Sequence, residues 1–389
     1  LKKKPLQRCC PPIPVPGLLK HKSPGPHELG NPGFFDCPDP TDITITVGPA
    51  GPPTFDFSTI QAAINAANYG DIISVAPGTY LEQITIPAGK DNLIIVSSRQ
   101  LGAIIKPPSG GLTGNLSILT INAKCTRIAR FKIAGPSTTK GNLQNGILVT
   151  KDGSAIIVNT VVTDIRDNPL SDLQQGTGIN VDGGAATIDS NTISNYQLTG
   201  IRVNGQNVSR STIFNSVVTG VGPTNVIIQN GIQISRGARA FIQSNNISRN
   251  NYTGQGFVST GILLFQQDAG VNVLDNKSFN NNAGIYLATT RRAIVQKSLF
   301  INNQFGIFVT SDSENNIFSL DQAVKNTTFD VEDDSIGNKN SYPLIRCQTD
   351  NKNGAICHSH LKGKKPKSKT VLDSFFSGDH SKDLSISVD

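Results

Sequence analysis

The sequence predicts an all-β solenoid, a single-stranded parallel β-helix of about ten coils with an α-helix capping its N-terminal end. Three observations carry this. A short phrase returns seven times, as GILV (146–149), GINV (178–181), GIRV (200–203), GIQI (231–234), GILL (261–264), GIYL (284–287) and GIFV (306–309). A second phrase follows each of the first six glycines by 13 to 15 residues, from NTVV (159–162) through NTIS, NSVV, NNIS and NKSF to KSLF (297–300). One amphipathic helical stretch precedes them all.

Each phrase alternates, so Ile179 and Val181 point one way and Asn180 the other. A period of two is a strand with one buried face. Seven strands of equal register bury those faces by stacking on one another. The steps between glycines are 32, 22, 31, 30, 23 and 22 residues. A basic unit of about 22 is too short for a βαβ unit, which needs roughly 30. The recurring Asn159, Asn191, Asn215, Asn245 and Asn276 read as corner residues that bond from coil to coil. The glycines read as corners that need permissive backbone angles.

In chain order, residues 1–40 carry ten prolines and read as a flexible Pro/Cys-rich arm. The solenoid is expected over 41–345, opening with an edge strand at 42–47. A helix is expected over 57–69, with Ser58 as N-cap, Gln61 as its capping-box partner and Ile60, Ala63, Ile64 and Ala67 as its apolar stripe. It would cover the open end of the first coil. Coils start at DIISVAPGTY (71–80), become regular over 146–334, and fray after Phe308 into one or two final coils. Residues 346–389 read as a basic tail, with 371–376 as an end cap or docking segment.

The net charge of +7 gathers at Lys2–Lys4 and at Lys362–Lys369, outside the repeats. The repeats show no basic stripe with interleaved aromatics, which argues against a nucleic-acid reader. No run of 18 apolar residues suggests a membrane span, and prolines interrupt the N-terminal stretch where a signal peptide's apolar segment would lie. The amide- and hydroxyl-rich composition suits an extracellular or surface protein. Cys347 and Cys357 are spaced to close a short loop, whereas Cys9 and Cys10 suit either interchain links or inert thiols. Cys125 reads as a buried small hydrophobe.

The run Gly70-Asp-Ile-Ile-Ser-Val-Ala-Pro-Gly-Thr-Tyr-Leu-Glu82, preceded by Ser58-Thr-Ile-Gln-Ala-Ala-Ile64, resembles the N-terminal signature of the right-handed parallel β-helix, pectin-lyase-like superfamily. The resemblance covers roughly 55–345 and implies the hand of the helix. It does not imply one activity, because that group includes lyases, hydrolases, esterases, epimerases and proteins without catalysis. Phrases that mark individual activities are missing. There is no Trp, no QDT corner and no RxPxxR; Asp333–Asp334 echoes a DD phrase alone, and Pro26-His27-Glu28 lies in the arm. The five histidines all lie in the two tails, so histidine acid–base chemistry is not expected on the coils.

The connection before each GI varies in length, being long at 166–177 and 219–230 and short at 194–199. This places a slot on the order of 10 Å wide between the two long loops. Asn180, Asp182, Arg202 and Asn204 face outward at the slot, and Asp164, Arg166, Asp167 and Asp172 lie in or near the first loop. If the chain is an enzyme, Asp164, Asp167, Asp172 and Asp182 would supply acid–base groups and Arg202 would hold a uronate. The plainer alternative is a solvated polar face. Further along, Leu263, Phe265, Tyr286 and Phe308 form an outward apolar ladder, read as a sugar platform, a subunit interface or a bed for the tail. The function expected first is a non-catalytic structural or glycan-binding surface protein that self-associates. The second is a carbohydrate-active enzyme: a lyase, hydrolase or epimerase. No cofactor is expected, apart from calcium in the case of a lyase.

Overall fold

The computed structural model describes residues 37–41, 43–137, 139–206, 210–268, 270–337 and 339–357. Expectations about Cys9, Cys10, the lysine runs, the five histidines and segment 371–376 lie outside the described residues.

Three parallel sheets form the faces of the solenoid, with eleven, ten and ten strands. Sheet A runs from Thr44–Val47 to Ile317–Ser319 and sheet B from Gly78–Leu81 to Gln322–Val324. Sheet C holds the GI phrases and runs from Ile84–Ile86 to Phe329–Asp333. The register is uniform: Ile147, Ile179, Ile201, Ile232, Ile262, Ile285 and Ile307 are successive partners. Each is 0% exposed, and burial of one such side chain stabilises by about 1.5–3 kcal/mol. The stack runs past residue 345, since Arg346 and Asp350 still bridge to Gln322 and Val331.

The GI glycines have a different cause from the one expected. None has a positive φ among the glycines that do. A Cβ at Gly200 would instead lie 2.6 Å from the Gly231 carbonyl oxygen and 2.4 Å from a Val218 methyl. The same approach recurs from Gly146 to Gly306. Close packing of one coil's turn on the next therefore demands glycine.

The asparagine row is also shifted. The bonded ladder runs Thr160, Asn191, Ser216, Asn245, Asn276, Ser298, Asp321, each from Asn191 on accepting the backbone N–H of the rung before. Asn159 and Asn215 sit one residue earlier, at the left-handed corner shared with Ser190, Ser244 and Asp275. Both positions suit asparagine, so the phrase alignment merged them.

The helix α1 spans Ile60–Ala66, shorter than 57–69, and its N-cap is Thr59 rather than Ser58. Glu82 takes the role expected of Gln61: its two oxygens accept the N–H groups of Ile60 and Gln61 at 2.9 and 3.0 Å. The apolar stripe Ile60, Ala63, Ile64 and Ala67 is fully buried over the first coil. Cys125 is half-buried with φ 54°, a corner residue rather than a core one.

Candidate functional site

The outward face of sheet C carries three side-chain rows, one rung per coil. The central row runs Leu148, Asn180, Arg202, Gln233, Leu263, Tyr286, Phe308, Glu332. A flanking row runs Asp182, Asn204, Ser235, Phe265, Ala288. The other flank holds Asn145, Thr177, Thr199, Asn230 and Thr260, ending in Ala283, Phe305 and Phe329. Rungs lie about 4.8 Å apart. The face is thus polar in its first half and apolar in its second.

In the polar half Asp182 and Arg202 sit diagonally. Arg202 Nε donates to Asn180 Oδ1 at 3.1 Å, and Asn204 Nδ2 donates to Asp182 Oδ1 at 2.9 Å. Desolvation lowers the Arg202 pKa, Asp182 opposes this, and Arg236 adds to it. A half-buried guanidinium with a second arginine nearby favours an incoming anion.

The loop carboxylates are engaged otherwise. Asp167 is buried; its oxygens accept from Ser171 Oγ at 2.5 Å, the Gly141 N–H at 3.1 Å and Gln175 Nε2 at 3.3 Å, so it braces its own loop. Asp164 accepts from Thr163 Oγ1 and Asn195 Nδ2 and lies 3.9 Å from Arg166 Nε. Asp172 is exposed and bound to Lys140 at 3.2 Å, and that bond lowers its pKa. A cleft of about 320 Å³ lies between the two long loops, lined by Lys140, Asp167, Pro169, Leu170, Asp172 and Val226. Asp182 and Arg202 are not in its wall. The loop 219–230 does not stand alone, because Gly222, Pro223 and Thr224 pair with Asn250, Asn251 and Tyr252 of the next coil.

In the apolar half Tyr286 and Phe308 stack at 4.7 Å, and Phe305 packs on Phe308 at 5.1 Å. Val258, Ala283 and Phe329 join them in a cluster separate from the core. Leu263, Phe265 and Tyr286 are half-buried, while Phe308 is only 1% exposed. Glu332 follows directly. Sequence reasoning missed it because its neighbours, not its type, make it unusual: it is 4% exposed and its Oε2 has no hydrogen-bond partner among the described residues.

A family model described as "Right handed beta helix region" matches residues 145–323. The chain is a right-handed parallel β-helix. Among solved structures, this β-helix is similar to the mannuronan C-5 epimerase A-modules of Azotobacter vinelandii. AlgE6 gives a TM-score of 0.53 at 15% identity, covering 79% of this chain and 92% of that one. AlgE4 gives 0.51 at 12%, covering 79% and 93%. The complex of XylC with xylose gives 0.50 at 12%, covering 73% and 69%. At such identities the likeness concerns the fold. A comparison with curated protein sequences returns no match.

Within the β-helix, no group of three or more His, Cys, Asp or Glu among the described residues is arranged to hold a metal ion. No helix among them is long and apolar enough to cross a membrane. Cys347 and Cys357 form a disulfide across a separation of ten residues.

Proposed function

We propose that this β-helix is a carbohydrate-active protein that takes an extended, acidic polysaccharide along the outward face of sheet C and processes it there. The observation that carries this reading is the continuous central row, with Asn180, Arg202 and Gln233 as polar rungs followed by Leu263 and Tyr286 as an apolar platform. Regularly spaced donors and a guanidinium suit hydroxyls and carboxylates, and an aromatic face suits the apolar side of a sugar ring. Solved structures of similar fold are named for carbohydrates, mannuronan in two of them and the neutral sugar xylose in a third. Extracellular or surface placement belongs to the same proposal, since such polymers and a closed disulfide are found there.

A second reading, a glycan-binding protein without turnover, is favoured by the slot carboxylates, because Asp164, Asp167, Asp172 and Asp182 all bond to neighbouring side chains. Self-association along the apolar ladder would belong to that reading.

Affinity electrophoresis of the full chain against polygalacturonate, alginate and xylan tests the proposal. Retardation by an acidic polymer, reduced at least tenfold in Arg202→Gln and Tyr286→Ala, is expected. No retardation by any of the three would overturn it.

A further inference from the structure

We propose that residues 371–376 of this chain dock on the apolar half of sheet C and keep the sugar platform filled until an acidic polymer displaces them. This rests on the polysaccharide reading above and gives its groove a built-in competitor.

The surface comes first. Leu263 and Phe265 on one rung and Tyr286 on the next stand outward and half-buried. Phe308, 1% exposed, backs the Tyr286 ring by stacking and offers no surface of its own. Phe257, next to the Val258 that packs on this cluster, is 52% exposed. Apolar side chains gathered in this way on one face mark a contact site.

The chain itself brings an occupant to this place. The described residues end at Cys357, which donates its N–H to Asp350 Oδ2 at 2.8 Å. Asp350 bridges to Val331, and Val331, Ile307, Ile285 and Ile262 are successive partners on sheet C. These four rungs set the exit of the tail about 19 Å from the rung that carries Leu263. From Cys357 to Val371 is fourteen residues, enough to span about 45 Å when extended. The hexamer Val371-Leu-Asp-Ser-Phe-Phe376 carries four apolar side chains, and Phe375 and Phe376 are the only Phe, Tyr or Trp residues after Cys357. The N-terminal arm leaves from the far end of the stack, where Arg127 Nη2 holds the Cys37 carbonyl at 3.2 Å on sheet A.

Charge guides the hexamer to its bed. Lys362, Lys364, Lys365, Lys367 and Lys369 stand between the exit and the hexamer. The end of sheet C nearest the exit is acidic. Asp312 is exposed and accepts from Thr289 and Thr310, with no ion-pair partner among the described residues. Asp334 is half-buried, two residues past Glu332. Burial, with Asp312 and Asp334 adding, pushes the Tyr286 phenol up to about 12, so both carboxylates act on the platform. A lysine run drawn to these carboxylates brings the hexamer over Leu263, Phe265 and Tyr286. Tethering raises its effective concentration to the order of millimolar, so a weak contact suffices. An acidic polymer competes on both counts, offering carboxylates to the lysines and sugar faces to the platform.

The test builds Phe375→p-benzoylphenylalanine into the full chain, irradiates it and maps the cross-links by mass spectrometry. They should lie within one chain, on peptides that carry Phe257, Leu263, Phe265 or Tyr286, and excess polygalacturonate or alginate should reduce them at least fivefold. Affinity electrophoresis then compares the native chain with a Phe375→Ser, Phe376→Ser double variant, which keeps every lysine. The variant should bind polygalacturonate or alginate at least fivefold more tightly. Cross-links elsewhere on the coils, between two chains, or none at all would overturn the docking, and those between chains would give the face to a second copy. Cross-links on the platform with equal polymer binding by native chain and variant would overturn the competition. Cross-links on the platform with no polymer bound by either protein would overturn the polysaccharide reading, and the competition with it, while the docking stands.

Discussion

Asp321 closes the corner ladder beneath Ser298. Its Oδ1 accepts the Ser298 N–H at 2.7 Å, while its buried Oδ2 has no partner among the described residues. On earlier coils an asparagine occupies this place and donates to a carbonyl of the coil before, as Asn276 Nδ2 does to Ile242 at 2.9 Å. The matching acceptor for residue 321 is the Val295 carbonyl. Burial raises the Asp321 carboxyl from 3.8 to about 7. A raised acid leaves stability unaffected below its unfolded pKa and erodes it as pH climbs from about 4 to about 7. Asp321→Asn should therefore stabilise by about 1–3 kcal/mol at pH 8, with a smaller gain at pH 5. Urea unfolding at both pH values measures this, and an equal effect at each would sink the argument.

Glu82 holds the start of α1 from the first coil. Removing its carboxylate in Glu82→Ala leaves two helix N–H groups without their acceptor and takes a negative charge from the positive end of the helix. A loss of about 1–2 kcal/mol is expected. Hydrogen exchange should quicken in 60–66 before it does in sheet C.

Gly200→Ala must move the next coil. Its Cβ would meet the Gly231 carbonyl oxygen and Val218 together, and neither is a flexible side-chain end. The expected loss is about 3 kcal/mol or more. Gly89→Ala, where an added Cβ meets nothing within 4 Å, checks for clashes but carries its own strain because φ is 88°. It should lose less than Gly200→Ala.

Cys347 and Cys357 tie the chain to the last coil beside Asp350, whose carboxylate accepts N–H groups from Lys352, Gly354 and Cys357. Replacing both cysteines by serine should lower stability by about 2–3 kcal/mol. Proteolysis should then begin near 346–357 while sheet A remains intact. Unchanged cleavage would mean that the Asp350 bonds suffice alone.

Binding of an acidic polymer should weaken with salt, and the dependence should be shallower in Arg202→Gln than in the native chain. Apparent affinity between 50 and 300 mM salt reads this directly. Equal slopes would remove Arg202 from the recognition of charge.

The repeat was legible because burial imposes a period of two, and because stacking makes every coil repeat that pattern in phase. Ile179, Ile201 and Ile232 declare their inward direction by alternation alone. The ladder was misplaced by one residue at Ser216, since its hydroxyl accepts the same N–H that an amide does, and at Thr160, which opens the ladder by donating its N–H to Asn191. A second ladder, Asn250, Asn281, Asn303 and Asn326, escaped notice, although the asparagine runs at 280–282 and 302–303 signalled it. At the slot, alternation showed which side chains face out but not what they bond to. The bracing of Asp167 by Ser171 and Gly141 depends on how its loop folds back. The isolation of Glu332 depends on the residues around it in space, and no local pattern encodes that.

Uniform register has one more consequence. Coils 178–199 and 284–305 are each 22 residues long and begin with the same glycine approach. Duplicating either one whole would lengthen the molecule by a single step and return every later side chain to its own row. Adding a single residue inside a strand would turn the remainder of that strand inside out. The length of this molecule is therefore quantised: it can grow or shrink only by whole turns, and a surface built along it changes its reach without changing its grammar.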